Sequence, residues 1–248
     1  MKKVRLDKIL MDQNYAADKE SAFILVTEGR ATVNGQKAIS PAQMVTTDAR
    51  IVVRGIENRY VGRGALKLLG ALDEWRIDLS GLVSADIGAA TGGFTEILLR
   101  RGVRRVYAID TAYGKLDLKL REDRRVVVME KTDVRNLQNL PEQVDLAVMD
   151  VSLISLRDTL PLATRFLKPE GLVIALFKPQ YETRDPRLLK NGVIISQVAR
   201  ETLLNEFLMW ADGAGWQTIQ HMKSPIRGST GNVEYLLLLQ NAKIKMKN

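Results

Sequence analysis

An α/β architecture is predicted: a doubly wound, mostly parallel sheet with helices on both faces, preceded by a small α+β domain. Three observations predict it. Apolar runs that read as buried strands alternate with helical patterns over most of the 248 residues, the pattern of a parallel sheet covered on both sides. A polar, glycine-flanked stretch at 55–63 separates this part from an N-terminal segment of different texture. The last two apolar runs, 218–222 and 233–239, follow one another with no helix between them, so the sheet ends in an antiparallel pair.

In chain order, Leu6, Ile9 and Leu10 recur at helical spacing, and Ala22, Phe23, Leu25 and Val26 do so again before Gly29 stops the helix. Asn34-Gly35 is a tight-turn pair inside 31–37 and predicts a hairpin. Val45 and 51–53 predict closing strands. Two helices and a small sheet make a module too small for an enzyme pocket and well sized for binding. After the polar stretch, runs at 82–87, 105–109, 126–129, 145–149 and 172–177 predict strands. Helical patterns fall at 64–75, 94–101, 156–167 and 198–210. The boundaries that follow are 1–58 for the small domain, 59–63 for a linker and 64–248 for the larger domain.

Cysteine is absent and His221 is the single histidine. Disulfide frameworks, Cys-ligated metals, thiol nucleophiles and multi-histidine centres are therefore excluded, and no metal is expected. The chemistry left runs on Lys, Asp, Glu, hydroxyls and a bound cofactor. Thirty-seven basic against 29 acidic side chains leave a charge of +8, which suits a polyanionic partner such as nucleic acid or an anionic membrane surface. No apolar run approaches the roughly 18 residues of a membrane span. Lys2, Lys3 and Arg5 stand where a signal peptide needs its apolar stretch, so a cytoplasmic protein is expected.

Asp86-Ile-Gly-Ala-Ala-Thr-Gly-Gly-Phe94 follows the first strand of the larger domain and opens a helix. Gly88, Gly92 and Gly93 let backbone approach a ligand, and the helix start offers N–H groups. The loop lacks the G-x-G-x-x-G spacing and a phosphate-binding lysine, so pyrophosphate and triphosphate ligands lose support. Asp86, Asp110 and Asp133 stand at the carboxyl ends of three successive strands, the edge at which such sheets bind ligands. Asp110 suits ribose hydroxyls and Asp133 an adenine amino group. Singly, each acid reads as a strand end or helix cap; together they fit an adenosine ligand without phosphates, of which S-adenosylmethionine is the usual one. A parallel sheet closed by an antiparallel pair is also how class I (Rossmann-like) methyltransferases end. Asp150 ends the fourth strand and Lys178 the fifth, which makes them neighbours facing that ligand. By default Lys178 reads as a snorkelling surface lysine, Lys67 as a solvated helix residue and Glu234 as a salt-bridge partner on an open strand face.

Arg5-Leu-Asp-Lys-Ile-Leu, Gly29-Arg-Ala-Thr-Val-Asn-Gly and Tyr60-Val-Gly-Arg-Gly-Ala-Leu-Lys67-Leu precede the glycine loop. Asp150-Val-Ser-Leu-Ile-Ser-Leu, Lys178-Pro-Gln-Tyr-Glu and Ser224-Pro-Ile-Arg-Gly…Gly231-Asn-Val-Glu234 follow it. In that order, these segments resemble the TlyA family end to end, ribosomal RNA 2′-O-methyltransferases that also carry the name hemolysin A. The resemblance implies an N-terminal RNA-binding domain of the ribosomal-protein S-four type and an FtsJ-like methyltransferase domain. It implies S-adenosylmethionine as cofactor, ribosomal RNA or ribosomal subunits as partner, and ribose at cytidine as acceptor. It assigns a catalytic tetrad to Lys67, Asp150, Lys178 and Glu234, and a cofactor site to Asp86, Gly88, Ala89, Thr91, Gly92, Gly93, Phe94, Asp110 and Asp133.

The chemistry explains those residue types. A ribose 2′-hydroxyl is a poor nucleophile near neutral pH, and a lysine partly desolvated among cations can serve as its base. Lys178 takes that role in this reading, Asp150 and Glu234 orient the ammonium groups, and Lys67 adds positive charge. Lys3, Arg5, Lys8, Lys19 and Arg30 would grip RNA, with Arg59 and Arg63 tracking phosphates toward the site. The chain departs from the usual family pattern at Gly62, Ala65, Ala90, Glu96, Asp18-Lys19 and 183–191. None of these is in the tetrad or among the three acids, so they bear on RNA choice. Two other classes stay open at this level: an RNA-binding or ribosome-assembly factor with a vestigial cofactor site, and a membrane-active cytolysin. The intact tetrad favours the enzyme.

Overall fold

The computed structural model describes residues 3–13, 15–16, 18–47, 49–54 and 60–242. The chain divides into two compact units, Met1–Arg63 and Gly64–Asn248. In the first, β1 (Lys3–Arg5) runs into α1 (Leu6–Asp12), and α2 (Lys19–Thr27) follows. Asp18 caps α2 by accepting from Ser21 N at 2.8 Å, while Ser21 Oγ accepts from Asp18 N at 3.0 Å, which satisfies two otherwise free helix-end donors. β2 (Ala31–Val33) and β3 (Gln36–Lys37) form the expected hairpin. Asn34 and Gly35 both have positive φ, 51° and 83°, the turn geometry that matches strand twist. β4 (Met44–Thr46) pairs with β1, and β5 (Ile51–Val53) with β2. Leu6, Leu10, Ala22, Leu25, Val33 and Ile51 belong to one buried core. Phe23 does not join it and is 55% exposed, because Ala22, Leu25 and Val26 already occupy the one face that α2 can turn inward.

The second unit opens with α3 (Gly64–Trp75), β6 (Val83–Ile87), α4 (Gly93–Arg100), β7 (Arg105–Ile109), α5 (Leu118–Arg121) and β8 (Val126–Met129). β9 (Val144–Met149), α6 (Leu156–Thr159), β10 (Leu167–Phe177) and α7 (Pro179–Glu182) come next. The short β11 (Leu189–Lys190) and β12 (Val193–Ile194), α8 (Gln197–Gly213), β13 (Trp216–Lys223) and β14 (Tyr235–Asn241) complete it. Seven strands form one sheet in the order β8-β7-β6-β9-β10-β14-β13. The first five in that order are parallel, and β14 runs antiparallel to both its neighbours. On β6, Val83, Ala85 and Ile87 share a core with Leu156 of α6 and Phe207 of α8. Ser84 and Asp86, between them, point to the opposite face by the two-residue strand period. The chain leaves β6 toward β7 and β8 on one side and returns to β9 and β10 on the other. The carboxyl ends of β6 and β9 therefore flank the crevice where such sheets bind ligands.

Two expectations need correction. The helix predicted over 156–167 stops at Thr159 and continues as a 3₁₀ turn, Leu160–Arg165. Pro161 lacks the N–H that would carry the α-helix through. β10 accordingly begins at Leu167 rather than at 172, with a register shift between Leu167 and Leu172 across a segment holding Pro169 and Gly171, residues that favour such irregularities. No helix among the described residues is long and apolar enough to cross a membrane.

Candidate active site

Lys67 is the fourth residue of α3 and lies among its buried residues, with Ala65, Leu68, Ala71 and Leu72. It is 8% exposed, not solvated as a helix lysine would be by default. Its charge is met by Glu234 Oε2 at 2.6 Å and by Asp150 Oδ2 at 3.9 Å. Glu234, just before β14, is buried rather than on an open strand face. The preceding loop folds on itself to put it there: Ser224 N donates to Glu234 O and Gly228 N to Asn232 O, each at 2.9 Å. A Cβ on Gly228 would overlap the Glu234 carboxylate, and one on Gly70 of α3 would come within 2.8 Å of Pro225 Cγ. The Ser-Pro-Ile-Arg-Gly segment thus serves to deliver one carboxylate.

Lys178 ends β10 and is 7% exposed, so it does not snorkel. Its Nζ is ion-paired with Asp150 Oδ1 at 2.6 Å and donates to Ser152 Oγ at 2.8 Å. Asp150 ends β9, the strand beside β10, and its two oxygens face different lysines. Two cations and two anions balance in one cluster in which Lys67, Lys178 and Glu234 are buried and Asp150 is half-buried, the arrangement in which charge burial is tolerated.

Beside this cluster opens a cavity of about 600 Å³ whose walls include Gly88, Asp110, Asp133, Asp150 and Ser152. Gly88 has φ 87°, and a Cβ there would lie 2.6 Å from the Asp150 carbonyl oxygen; only glycine lets these two strand ends close together. Asp110 accepts from Ala90 N at 2.8 Å and from Ala112 N at 2.7 Å, so it holds the glycine loop in place from the next strand. Asp133 is gripped by the Arg135 guanidinium, Nε at 3.0 Å and Nη2 at 2.5 Å. That pairing keeps the Asp133 carboxyl below its ordinary range.

Asp86 is fully buried and accepts from Thr95 Oγ1 of α4 at 2.6 Å. Its Oδ1 has no hydrogen-bond partner among the described residues. Burial pushes its pKa up to about 7 against the pull of the Thr95 hydrogen bond, and the nearby Asp150 charge adds to the rise. Of the predicted loop residues, Asp86 lies buried rather than in the cavity wall, and Ala89, Thr91, Gly92, Gly93 and Phe94 are not in the wall either. Gly92 N donates to Ala89 O at 2.7 Å, and Gly93 and Phe94 are buried at the start of α4; they build the turn. Sequence reasoning missed Ala90, Thr132 and Ser152 as wall residues. Ser152 sits in the Asp-Val-Ser segment, and that adjacency was the available signal.

A larger cavity of about 780 Å³ lies against α7 and α8, with Glu182 in its wall. Burial pushes the Glu182 carboxyl up. Its oxygens are committed to Ser155 Oγ and Leu156 N, each at 2.7 Å, so it fixes the start of α6. Glu96 is likewise structural: Arg100 Nη2 and Lys119 Nζ meet its Oε1 at 2.8 and 3.2 Å.

Among the cations assigned to RNA, Lys3, Lys8 and Lys19 are exposed on the small unit. Arg5 is tied to Asp7, which it holds below the usual carboxylate range. Arg30 pairs with Glu28 at 3.2 Å and donates to Arg54 O at 2.9 Å. Arg63 is half-buried, and Arg59 lies outside the described residues. No group of His, Cys, Asp and Glu suited to a metal ion occurs among the described residues.

Comparison with known proteins agrees with this geometry. The FtsJ-like methyltransferase family matches residues 60–241. The 16S/23S rRNA (cytidine-2'-O)-methyltransferase TlyA of Mycobacterium tuberculosis is 37% identical over 242 residues, spanning 96% of this chain and 90% of that protein. Hemolysin A of Brachyspira hyodysenteriae is 34% identical over 237 residues, 94% of this chain and 98% of that one. A solved structure named "Putative hemolysin from Streptococcus thermophilus" aligns with a TM-score of 0.77 at 33% identity, over 98% of this chain and 90% of that one. Sheet order, buried tetrad and full-length similarity converge: the chain belongs to the TlyA family, and its larger unit is an FtsJ-like methyltransferase.

Proposed function

We propose that the protein transfers a methyl group from S-adenosylmethionine to the 2′-hydroxyl of a ribose, at cytidine, in ribosomal RNA. The observation that carries this is the buried Lys67–Glu234–Asp150–Lys178 cluster at the carboxyl edge of the sheet, one member of which, Asp150, also walls the crevice. The Mycobacterium tuberculosis relative is named for 2'-O methylation of cytidine in 16S and 23S rRNA, which supports the same acceptor here.

The crevice fits an adenosine-bearing cofactor. Gly88 has no room for a side chain, and Asp110 and Asp133 present carboxylates in the wall. Asp110 would hold the ribose hydroxyls and Asp133 the adenine amino group, with the backbone at Gly88 against the methionine portion. When bound, S-adenosylmethionine supplies a methyl group made electrophilic by its sulfonium. Lys178, as the free amine, accepts the proton of the 2′-hydroxyl at Nζ, and Asp150 Oδ1 stabilises the ammonium that forms. Lys67 draws on the other oxygen of Asp150 and is itself held by Glu234, which divides the Asp150 charge between two cations. The exposed Lys3, Lys8 and Lys19 of the small unit offer phosphate contacts. A ribosomal substrate makes the cytoplasm the place of action.

Transfer of radiolabelled methyl to ribosomal subunits from a strain lacking its own enzyme tests this, with the RNA then digested in alkali. A 2′-O-methyl group blocks alkaline cleavage, so label is expected in an alkali-resistant dinucleotide, and absent with Lys178→Ala. Label in mononucleotides would move the chemistry to a base. No label on subunits, assembled ribosomes or naked RNA would contradict the proposal.

A further inference from the structure

Lys178 reaches its partners on a flexible four-carbon stem, and the two contacts at its Nζ do different things. The ion pair with Asp150 Oδ1 at 2.6 Å supplies charge. The hydrogen bond to Ser152 Oγ at 2.8 Å supplies direction. An ammonium carries three N–H donors. One faces Asp150, one goes to Ser152, and the third makes no hydrogen bond among the described residues. The Tyr181 ring lies 5.8 Å from Nζ. Lys67 and Glu234, the other charged groups of the cluster, pair with each other, and Lys67 also approaches Asp150 Oδ2. Neither is a partner of Lys178.

Once the third proton is lost, its place is the lone pair of the base. We infer that Ser152 is a positioning residue for methyl transfer: its hydroxyl accepts one N–H of Lys178 and so aims the lone pair of that amine at the substrate 2′-hydroxyl. The backbone supports the assignment. Leu153, the next residue, has φ 65°, a left-handed conformation uncommon for a branched side chain and often found where a functional segment must be held. Ser152 is solvent-exposed and walls the same crevice as Asp150, so its hydroxyl is committed to the lysine although water is available to it.

The inference rests on Lys178 being the base, and one experiment separates the two. Single-turnover methyl transfer is measured at saturating cofactor and RNA for wild type, Ser152→Ala, Ser152→Thr and Lys178→Ala, with cofactor affinity and unfolding midpoint beside each. Ser152→Ala is expected to slow transfer about tenfold, the scale of one directional hydrogen bond, with cofactor affinity unchanged. Ser152→Thr, which keeps the hydroxyl, is expected to recover most of that rate. Ser152→Ala at the wild-type rate beside an inactive Lys178→Ala overturns the role of Ser152 alone. Equal losses in Ser152→Ala and Ser152→Thr, or a loss confined to affinity, overturn it too, because the effect then belongs to the segment's shape. Lys178→Ala at the wild-type rate overturns the base assignment and the Ser152 role together.

Discussion

The tetrad contains two lysine–carboxylate pairs of the same chemistry in different settings. Lys67 and Glu234 face each other at 2.6 Å with side chains 10% and 3% exposed. They are locked between a helix and a strand start by glycines that admit Pro225 and the carboxylate itself. Lys178 and Asp150 are also 2.6 Å apart, but Asp150 is 21% exposed and walls the crevice, and Lys178 has a hydroxyl partner as well. The first pair is closed and keeps a charge in place. In the second the carboxylate reaches the wall of the crevice, and in the proposed mechanism it is this pair's lysine that takes the proton.

The contrast breaks most visibly at Glu234. Glu234→Ala leaves the buried Lys67 ammonium with only its 3.9 Å approach to Asp150, a change expected to cost about 3 kcal/mol of stability, seen as a fall in the urea midpoint. Replacing both partners, Lys67→Met with Glu234→Leu, is expected to restore most of that stability without restoring methyl transfer. Recovery of activity in the double variant would make the closed pair purely structural.

Asp86 sharpens the contrast from the other side of Asp150. Its pKa is raised to about 7 in the folded chain from an ordinary 3.8. Between those values the folded state binds a proton that the unfolded state has released. Its contribution to stability is therefore full below about pH 4 and lost as the pH rises through about 7. Asp86→Asn is expected to gain on wild type as the pH is raised from about 5 to about 8, read from unfolding midpoints. A stability difference independent of pH would show that the carboxyl is not held protonated by burial.

The smallest effects belong to the exposed cations of the small unit. Lys8→Ala and Lys19→Ala should each weaken RNA binding modestly and lower the slope of affinity against salt by about 1, with methyl transfer at saturating RNA unchanged. Arg5→Ala should do less to RNA binding than either, because its guanidinium is already committed to Asp7.

Where one residue type has one physical use, it was legible in the sequence. The runs at 105–109 and 126–129 are strands to the residue, because four consecutive apolar or aromatic residues in each, bounded by polar ones, leave little choice. Asn34-Gly35 fixed its hairpin for the same reason. The site was legible as a set of residues, through the ordered motifs, more than as an environment. Lys67 looked solvated because a single lysine on a helix normally is; its burial depends on a carboxylate from a strand start 167 positions later in the chain, at Glu234. The break at Pro161 was written in the sequence and outweighed by the apolar periodicity around it. The hold of Arg135 on Asp133 is one of three Asp-x-Arg forks among the described residues, with Asp123–Arg125 and Asp185–Arg187. Such local forks recur away from the crevice, so spacing alone does not single out the one in its wall.

The division of labour between the two lysines is tested most directly by charge-preserving substitution. Arginine keeps the positive charge and gives up the ability to act as a base near neutral pH. Single-turnover methyl transfer would be measured for Lys67→Arg and Lys178→Arg at saturating cofactor and RNA, with unfolding midpoints to confirm that both fold. Lys67→Arg is expected to stay within about tenfold of wild type, and Lys178→Arg to lose on the order of a thousandfold, the scale of a missing general base. A Lys178→Arg variant that methylates at close to the wild-type rate, beside a folded Lys67→Arg that does not, would contradict the assignment of the base.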